Sequence, residues 1–181
     1  MILGKLSQEE QNPAAPCPPE VFERQVMVPV RFYTFGRRKS AGVIVVDRGV
    51  ADEITELFDM IFAHRFPIAS AIPISYPPFR WNDERSMIAN NTSGFNYRAI
   101  AGTNRLSWHA LGRAIDINPW FNPLEKNGVV RPAGAERYDP TRRGAIAPDS
   151  FIVRFLKAHD WEWGGDWRDY KDYQHFQKPL H

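Results

Sequence analysis

Residues 25–35 have the sequence QVMVPVRFYTF, which is rich in β-branched and aromatic residues. A polar segment from Gly36 to Ser40 follows, and then a second apolar run, Val43 to Val46. Residues of these types favour strands, and two such runs joined by a short polar segment are typical of antiparallel pairing. We therefore predict a β-hairpin over this part of the chain.

Two segments with helical periodicity accompany this hairpin. From Asp52 to Ala63, apolar residues recur at i, i+3, i+4, i+7 and i+8, and acidic residues occupy the start, where the helix dipole favours them. Ser150 to Ala158 has one apolar face, and Asp149 is its expected N-cap. The expected fold class is α+β, with a small antiparallel sheet and the helices packed on one side.

The rest of the chain shows weaker structural signals. Residues 68–75 are a candidate strand, although nearby prolines keep it from being a regular central one. Residues 118–148 contain many prolines and glycines and are predicted to form loops that act as a lid or wall.

Length and composition exclude several classes of protein. A chain of 181 residues with 43% hydrophobic residues is expected to form one domain with a sizeable core. No apolar run approaches the roughly 18 residues that cross a membrane, so we expect no integral membrane segment. The 23 Lys and Arg nearly balance the 21 Asp and Glu and are scattered, which argues against nucleic acid as the main partner. A mild attraction to anionic polymers stays open.

The N-terminal residues differ in composition from the rest. We expect residues 1–20 to form a flexible, proline-rich arm and residues 21–181 to form a single domain. Cys17 is the only cysteine, cannot form an intrachain disulfide and is a poor candidate for a nucleophile. The arm contains no apolar h-region, so no secretory signal is visible in this sequence.

The chemistry is concentrated first in residues 107–119, SWHALGRAIDINP. His109 is followed by a turn at Gly112 and by a predicted short strand, in which Asp116 stands between two isoleucines. An ionised carboxylate in an apolar strand is costly unless it is paired or bound to a cation. We therefore expect a positive partner beside Asp116.

A second cluster lies near the C-terminus, in residues 161–176. His175 belongs to a short aromatic, strand-like segment, and Asp172 precedes it by three residues. In a regular strand the two side chains would point to opposite faces. We predict a turn or bulge at Tyr173 that lets both reach one cavity.

The two clusters together supply two imidazoles and a carboxylate, His109, His175 and Asp116, which are the ligand types of a catalytic zinc site. Asp172 would remain to move a proton between water and a leaving amine. Simpler interpretations are open at this point. Each histidine could be structural, Asp116 could bind Arg113, and Asp172 could be a solvated loop residue.

Three motifs occur in an order that resembles a known family. They are Ser107-x-His109-x-x-Gly112-x-Ala114-x-Asp116, Trp163-Gly164-Gly165-Asp166-Trp167 and Asp172-x-x-His175-Phe176. The pattern resembles the M15 zinc peptidases, which comprise D-alanyl-D-alanine carboxypeptidases, dipeptidases and L-alanyl-D-glutamate endopeptidases. The resemblance extends over roughly Val43 to Phe176 and implies a fold like that of the Hedgehog and D-Ala-D-Ala peptidase domains.

The resemblance assigns roles to single positions. His109, Asp116 and His175 would bind Zn²⁺, and Asp172 would be the general base. Arg98 would face the scissile carbonyl or a substrate carboxylate, where its fixed positive charge would stabilise an oxyanion. Ser107, Asp166 and Trp167 are candidate substrate-binding residues, although tryptophans at this density are also ordinary core.

The resemblance implies hydrolysis of a peptide bond in the stem peptide of bacterial peptidoglycan. We expect the D-alanyl-D-alanine carboxypeptidase type, with an L-alanyl-D-glutamate endopeptidase or a non-catalytic zinc-binding module as alternatives. A carboxylate at Asp172 favours an enzyme, because a binding module has no need of a base. A monomer is expected. Such a substrate implies the periplasm, the cell wall or the outside of the cell.

Overall fold

The computed structural model describes residues 4–6, 12 and 15–180. Short strands and helices alternate along this part of the chain. In chain order they are β1 Gly4–Lys5, α1 Pro19–Phe22, β2 Gln25–Tyr33, β3 Lys39–Asp47, α2 Ala51–Ala63, β4 Ser70–Ala71, α3 Asp83–Ile88, β5 Asn91–Thr92, β6 Ala114–Asp116, β7 Leu124–Lys126, β8 Val129–Arg131, α4 Phe151–Ala158, β9 Glu162–Trp163, β10 Lys171–Asp172 and β11 His175–Gln177.

The predicted hairpin is confirmed as β2 and β3, which pair antiparallel with Val26 opposite Val46 and Tyr33 opposite Lys39. β3 begins at Lys39, inside the segment expected to be the turn. The buried residues of β2 alternate along the strand, because successive side chains point to opposite faces of a sheet. One face of the hairpin therefore belongs to the core.

Both predicted helices are confirmed. α2 places its two acidic residues in the first turn and buries Ile54, Leu57, Phe58 and Ile61. α4 is capped by Ser150, whose hydroxyl accepts a hydrogen bond from the backbone N–H of Val153. The expected cap at Asp149 is therefore wrong by one residue: Ser150 occupies the extended position directly before the helix.

A second small sheet carries the residues of interest. Its strand order is β6, β11, β9, all antiparallel, and it places His175 opposite Asp116. Ile115, Phe176 and Trp163 from these strands are buried in the same core as α2 and α4. The mixture of helices and small sheets confirms the α+β class.

The long segment 118–148 is more ordered than predicted. It contains the antiparallel hairpin β7–β8, and β10 pairs with β7, so that Asp172 lies opposite Leu124. Asn127 and Gly128 in the turn both have positive φ. Asn-Gly is a strong hairpin signal for this reason, and the sequence prediction overlooked it.

The candidate strand at 68–75 is reduced to β4, which pairs parallel with β5. The prolines that follow it limit its length, because proline cannot donate to a sheet. None of the helices in the described residues is long and apolar enough to cross a membrane.

The described part of the N-terminal segment packs against the hairpin. β1 pairs with β2, and Leu6 and Cys17 are buried beside Phe22, Val45 and Phe95. In this packing, apolar side chains of the segment cover an apolar patch. Part of the flexible arm expected over residues 1–20 lies outside the described residues, so the arm stays a prediction. The extent of the domain, 21–181, stays a prediction.

Candidate metal centre

Three buried side chains converge on one point. The Nε2 atom of His109 lies 3.2 Å from Nδ1 of His175 and 3.2 Å from Oδ1 of Asp116, and the last two atoms are 3.0 Å apart. These atoms all lie within 4.8 Å of one another. The structure therefore brings together the three predicted ligand residues, and this group could hold a metal ion.

His109 is positioned by a single turn of 3-10 helix, residues Trp108–Leu111. The turn begins at Ser107, whose hydroxyl accepts a hydrogen bond from the backbone N–H of His109 at 3.3 Å. On the imidazole, Nδ1 lies 2.6 Å from the carbonyl oxygen of Gly94. A Cβ at Gly94 would lie 2.2 Å from the carbonyl oxygen of Val45, so this close approach of two backbones requires glycine.

Asp116 and His175 are neighbours because β6 and β11 pair in a register that places them opposite each other. The second ring nitrogen of His175, Nε2, lies 3.0 Å from Oε1 of Gln177. Gln177 also donates a hydrogen bond to Glu162 at 2.7 Å, which fixes its amide. The orientation of this imidazole is therefore set by its own strand and by β9.

The donor set fits a metal ion. In each imidazole one nitrogen faces a carbonyl oxygen, which can only accept, so that nitrogen carries the proton. In their neutral forms, His109 and His175 therefore direct the lone pairs of Nε2 and Nδ1 at the same point as the Asp116 carboxylate. Metal-ligating histidines typically have such second partners. Two lone pairs and an anion at about 3 Å require a cation or a shared proton between them.

The protonation states of Asp116 and His175 depend on each other. Burial favours the neutral form of Asp116, but hydrogen bonds and charge from His109 and His175 hold the pKa of its carboxyl well below its usual range. Burial lowers the pKa of His175, and the Asp116 carboxylate overcomes this and raises it above its ordinary value. Without a metal ion, His175 is therefore the positive partner that we expected beside Asp116, and Arg113 instead donates to the carbonyl of Lys178.

Asp172 ends β10 and is separated from β11 by the turn Tyr173–Gln174, as predicted. Gln174 is buried, and its amide donates to Oδ1 of Asp172 at 3.1 Å. Burial, together with the charge of Asp116, raises the pKa of Asp172 to about 6, against the opposing effect of His175. The charges of Asp116 and His175 therefore act on Asp172. Among the described residues, Asp172 is not a member of the group that could hold a metal ion.

The position of Asp172 depends on the glycines of the Trp-Gly-Gly motif. A Cβ at Gly164 would lie 2.4 Å from the carbonyl oxygen of Asp172 and 2.9 Å from its Cβ. The ring of Trp163 is buried, and its N–H donates to the carbonyl of Tyr173 at 2.9 Å. This motif therefore holds the backbone at the predicted base and at the residue that follows it.

Arg98 lies near this region but is already paired. Its guanidinium lies 2.8 Å from a carboxylate oxygen of Asp83, whose other oxygen accepts from Asn96 at 3.1 Å. The backbone carbonyl of Arg98 accepts from the N–H of Ser107. Among the described residues, no hydrogen bond or ion pair joins Arg98 to His109, so the role of Arg98 stays a prediction.

The three predicted substrate-binding residues lie in different surroundings. Ser107 is buried and contacts the backbone of His109 rather than its ring. The half-buried ring of Trp167 lies 5.4 Å from the ring of His175, at the edge of the candidate centre. Asp166 is exposed and pairs with Lys157 at 2.5 Å. Their contact with a substrate stays a prediction.

Sequence reasoning missed the residues that hold the ligands and the base. Gln177 and Gln174 touch His175 and Asp172 directly, and Gly94 contributes only its backbone. A polar residue two positions after His175 on one strand was an available signal for Gln177, because such residues share a face. No local pattern pointed to Gly94, which precedes His109 by 15 residues.

One of three comparisons with known proteins found a match. Residues 101–178 match the family model for D-alanyl-D-alanine carboxypeptidase of the M15 peptidases. Neither the curated proteins nor the solved structures yielded a match. The matched segment contains all three residues of the candidate metal centre and also Asp172. This segment of the chain is therefore similar to the M15 peptidases.

Proposed function

We propose that this protein is a zinc peptidase that hydrolyses a peptide bond in the stem peptide of bacterial peptidoglycan, as a D-alanyl-D-alanine carboxypeptidase. The observation that carries the proposal is the convergence of His109, Asp116 and His175 in the segment that matches that family. A Hedgehog and D-Ala-D-Ala peptidase-like fold is part of the proposal and is supported by the α+β architecture.

Two imidazoles and one carboxylate are the donor set that we assign to zinc. When bound there, zinc supplies Lewis-acid chemistry, which polarises a carbonyl and lowers the pKa of water. The protein contributes a rigid arrangement of donors, because Gly94 and Gln177 orient the two rings.

Asp172 is the proposed general base. Its carboxylate accepts a proton from the attacking water, whose oxygen bonds to the carbonyl carbon of the substrate. The same proton then passes to the nitrogen of the leaving amine as the carbon–nitrogen bond breaks. The amide of Gln174 holds the carboxylate in place at 3.1 Å. Trp167, Ser107 and Asp166 are proposed to contact the peptide around it.

One observation favours a second candidate, an L-alanyl-D-glutamate endopeptidase. A carboxypeptidase needs a cation for the free carboxylate of its substrate, and Arg98 is the residue proposed for that task. The Asp83 carboxylate already neutralises Arg98 at 2.8 Å. An endopeptidase has no terminal carboxylate to bind. An arginine whose charge is already neutralised by Asp83 therefore suits an endopeptidase better.

The test measures metal content and cleavage together. The purified protein is expected to bind one zinc per chain and to shorten a pentapeptide stem by one D-alanine, detected by mass spectrometry. Asp172→Asn is expected to retain zinc and to lose at least about 100-fold in kcat, because a positioned base contributes this much. Asp52→Asn is the matched control on an exposed aspartate of α2 and is expected to retain kcat within severalfold.

Other product masses decide between the alternatives. Cleavage between L-alanine and D-glutamate would establish the endopeptidase. If the protein binds one zinc per chain but cleaves no stem peptide, the non-catalytic zinc-binding module would be the correct alternative. Absence of zinc from the protein would overturn the assignment of His109, Asp116 and His175 as ligands.

A further inference from the structure

Two stacked aromatic pairs at the end of the β2–β3 hairpin carry arginines over their rings. In the first pair, Tyr33 and Phe62 stack with their centroids 4.9 Å apart. The guanidinium of Arg65 lies 5.6 Å from the centroid of Tyr33, and that of Arg31 lies 5.0 Å from the centroid of Phe62. Such cation–π contacts hold an otherwise mobile side chain in place.

The second pair repeats this arrangement. Phe35 and Phe121 stack at 4.5 Å. Arg143 lies over Phe35 at 5.9 Å and Arg142 lies over Phe121 at 5.2 Å. Arg143 also donates to the carbonyl of Phe35 at 2.6 Å. The four rings are half-buried, and a guanidinium lies over each of them.

The buried amide of Asn118 joins the two pairs into one region. Its Nδ2 donates to the carbonyl of Pro67 at 2.8 Å and to that of Gly144 at 3.2 Å. Pro67 lies two residues after Arg65, and Gly144 directly follows Arg143. The exposed hairpin turn and the first residue of β3 add three more cations to the region: Arg37, Arg38 and Lys39.

This region, which we call the arginine surface, concentrates positive charge. It comprises Arg31, Arg37, Arg38, Lys39, Arg65, Arg142 and Arg143. Three carboxylates face it: Asp59 pairs with Arg31, and Glu136 and Asp139 lie beside Arg142. The surface thus has an excess of four positive charges, whereas the whole chain has a net charge of +2. In the described residues, Arg37, Arg38, Lys39, Arg65 and Arg143 form no ion pair.

We propose that the arginine surface binds a linear phosphodiester polymer without bases. A guanidinium that lies over a ring keeps its N–H edge available, and this fork matches two phosphate oxygens. Because the rings already order the arginines, binding a phosphate costs less side-chain entropy than at a mobile lysine. The proposal rests on the arginine surface alone and is independent of the metal centre.

Two other polyanionic partners fit the surface less well. Single-stranded nucleic acid is bound by free aromatic faces on which bases stack, and here a guanidinium lies over every ring. A lipid membrane is bound by protruding apolar side chains, and the large exposed ones of the described residues lie elsewhere. Trp120, next to Phe121 in sequence, lies with its ring against Gly134.

The test compares binding of poly(glycerol phosphate) to two triple variants of equal charge. The first, Arg37→Gln, Arg38→Gln and Arg65→Gln, removes three cations from the arginine surface. The control, Arg80→Gln, Arg105→Gln and Arg168→Gln, removes three exposed cations from other regions. Calorimetry at 50 and 200 mM NaCl gives the dissociation constant and its salt dependence, and the thermal midpoints check that each variant is folded.

We expect the wild type to bind and the surface variant to bind at least about tenfold more weakly at 50 mM NaCl, with a salt slope smaller by about 2. The control is expected to differ from the wild type by less than about threefold. Equal loss in both variants would mean that net charge alone is responsible and would overturn the proposal. Tighter binding to single-stranded DNA or to anionic phospholipid vesicles, or no binding to the polymer, would also overturn it.

Discussion

At the scale of single residues, the candidate centre depends on the atoms that contact the ligand side chains and orient them. In each imidazole, one nitrogen faces the candidate metal position and the other contacts a carbonyl oxygen. That oxygen belongs to Gly94 for His109 and to Gln177 for His175. Because an oxygen of this kind accepts only, it fixes which nitrogen carries the proton. The ligand atoms are therefore prepared before any ion binds.

We predict that Gln177→Ala weakens zinc binding by about 10- to 100-fold, because the ring of His175 loses the acceptor that orients it. Zinc affinity is measured by competition with a chromophoric chelator. The expected loss is in affinity, so hydrolysis at saturating zinc should fall much less than affinity does.

Glu56→Ala is the control, because Glu56 is exposed on α2 and no hydrogen bond of the described residues joins it to His175 or Gln177. It is expected to change zinc affinity by less than about threefold. Equal affinities for the wild type and for Gln177→Ala would show that the backbone of β11 alone orients His175.

At the scale of secondary-structure elements, the predicted base is held by contact between segments. β10 pairs with β7, the turn after it is tied to Trp163, and Gly164 packs against the backbone of Asp172. The glycine serves here by its lack of a side chain, since a Cβ would overlap backbone atoms.

We predict that Gly164→Ala displaces Asp172 and lowers kcat by at least about tenfold, since small shifts of catalytic groups have large effects on rate. Zinc content is expected to remain stoichiometric, because the atoms nearest to a Cβ at Gly164 all belong to Asp172 and none to a ligand residue. Stem-peptide hydrolysis and metal analysis of the same preparation check both parts.

Gly36→Ala is the control, because a Cβ there meets only ordinary contact, with Thr34 at 3.7 Å. It is expected to keep both kcat and zinc. If Gly164→Ala were as active as Gly36→Ala, the contact with β10 would not be what positions Asp172.

At the scale of the whole molecule, the N-terminal segment completes the surface of the hairpin. Cys17 is 6% exposed and lies with Phe22, Val45 and Phe95 in a small apolar cluster beside the main core. Burial, with a smaller contribution from the charge of Glu20, raises the pKa of the thiol to about 11. The thiolate, which is the reactive form, is therefore scarce in the folded protein.

We predict that Cys17 reacts with a disulfide reagent at pH 8 roughly a hundredfold more slowly in the folded protein than in urea. This factor corresponds to two pKa units of lost thiolate, and burial adds to it. Absorbance of the released thiol gives both rates. Equal rates in the two conditions would mean that residues 15–22 do not pack on the hairpin in solution.

Local patterns allowed much of the architecture to be predicted. The apolar periodicity of α2, the β-branched run of β2 and the paired motifs around His109 and His175 each lie within about a dozen residues. The cap of α4 was displaced by one residue, because Asp149 and Ser150 are both good caps and only the backbone angles choose between them.

The sequence by itself determined the α+β class, the main helices and hairpin, and which side chains are candidate metal ligands, because these depend on residue type and short spacing. Only the tertiary structure decided that Gly94 and Gln177 orient the imidazoles, that Arg98 is paired with Asp83, and that scattered arginines form one surface. These relations join residues far apart in the chain, and the packing of the core, which local patterns do not encode, brings them together.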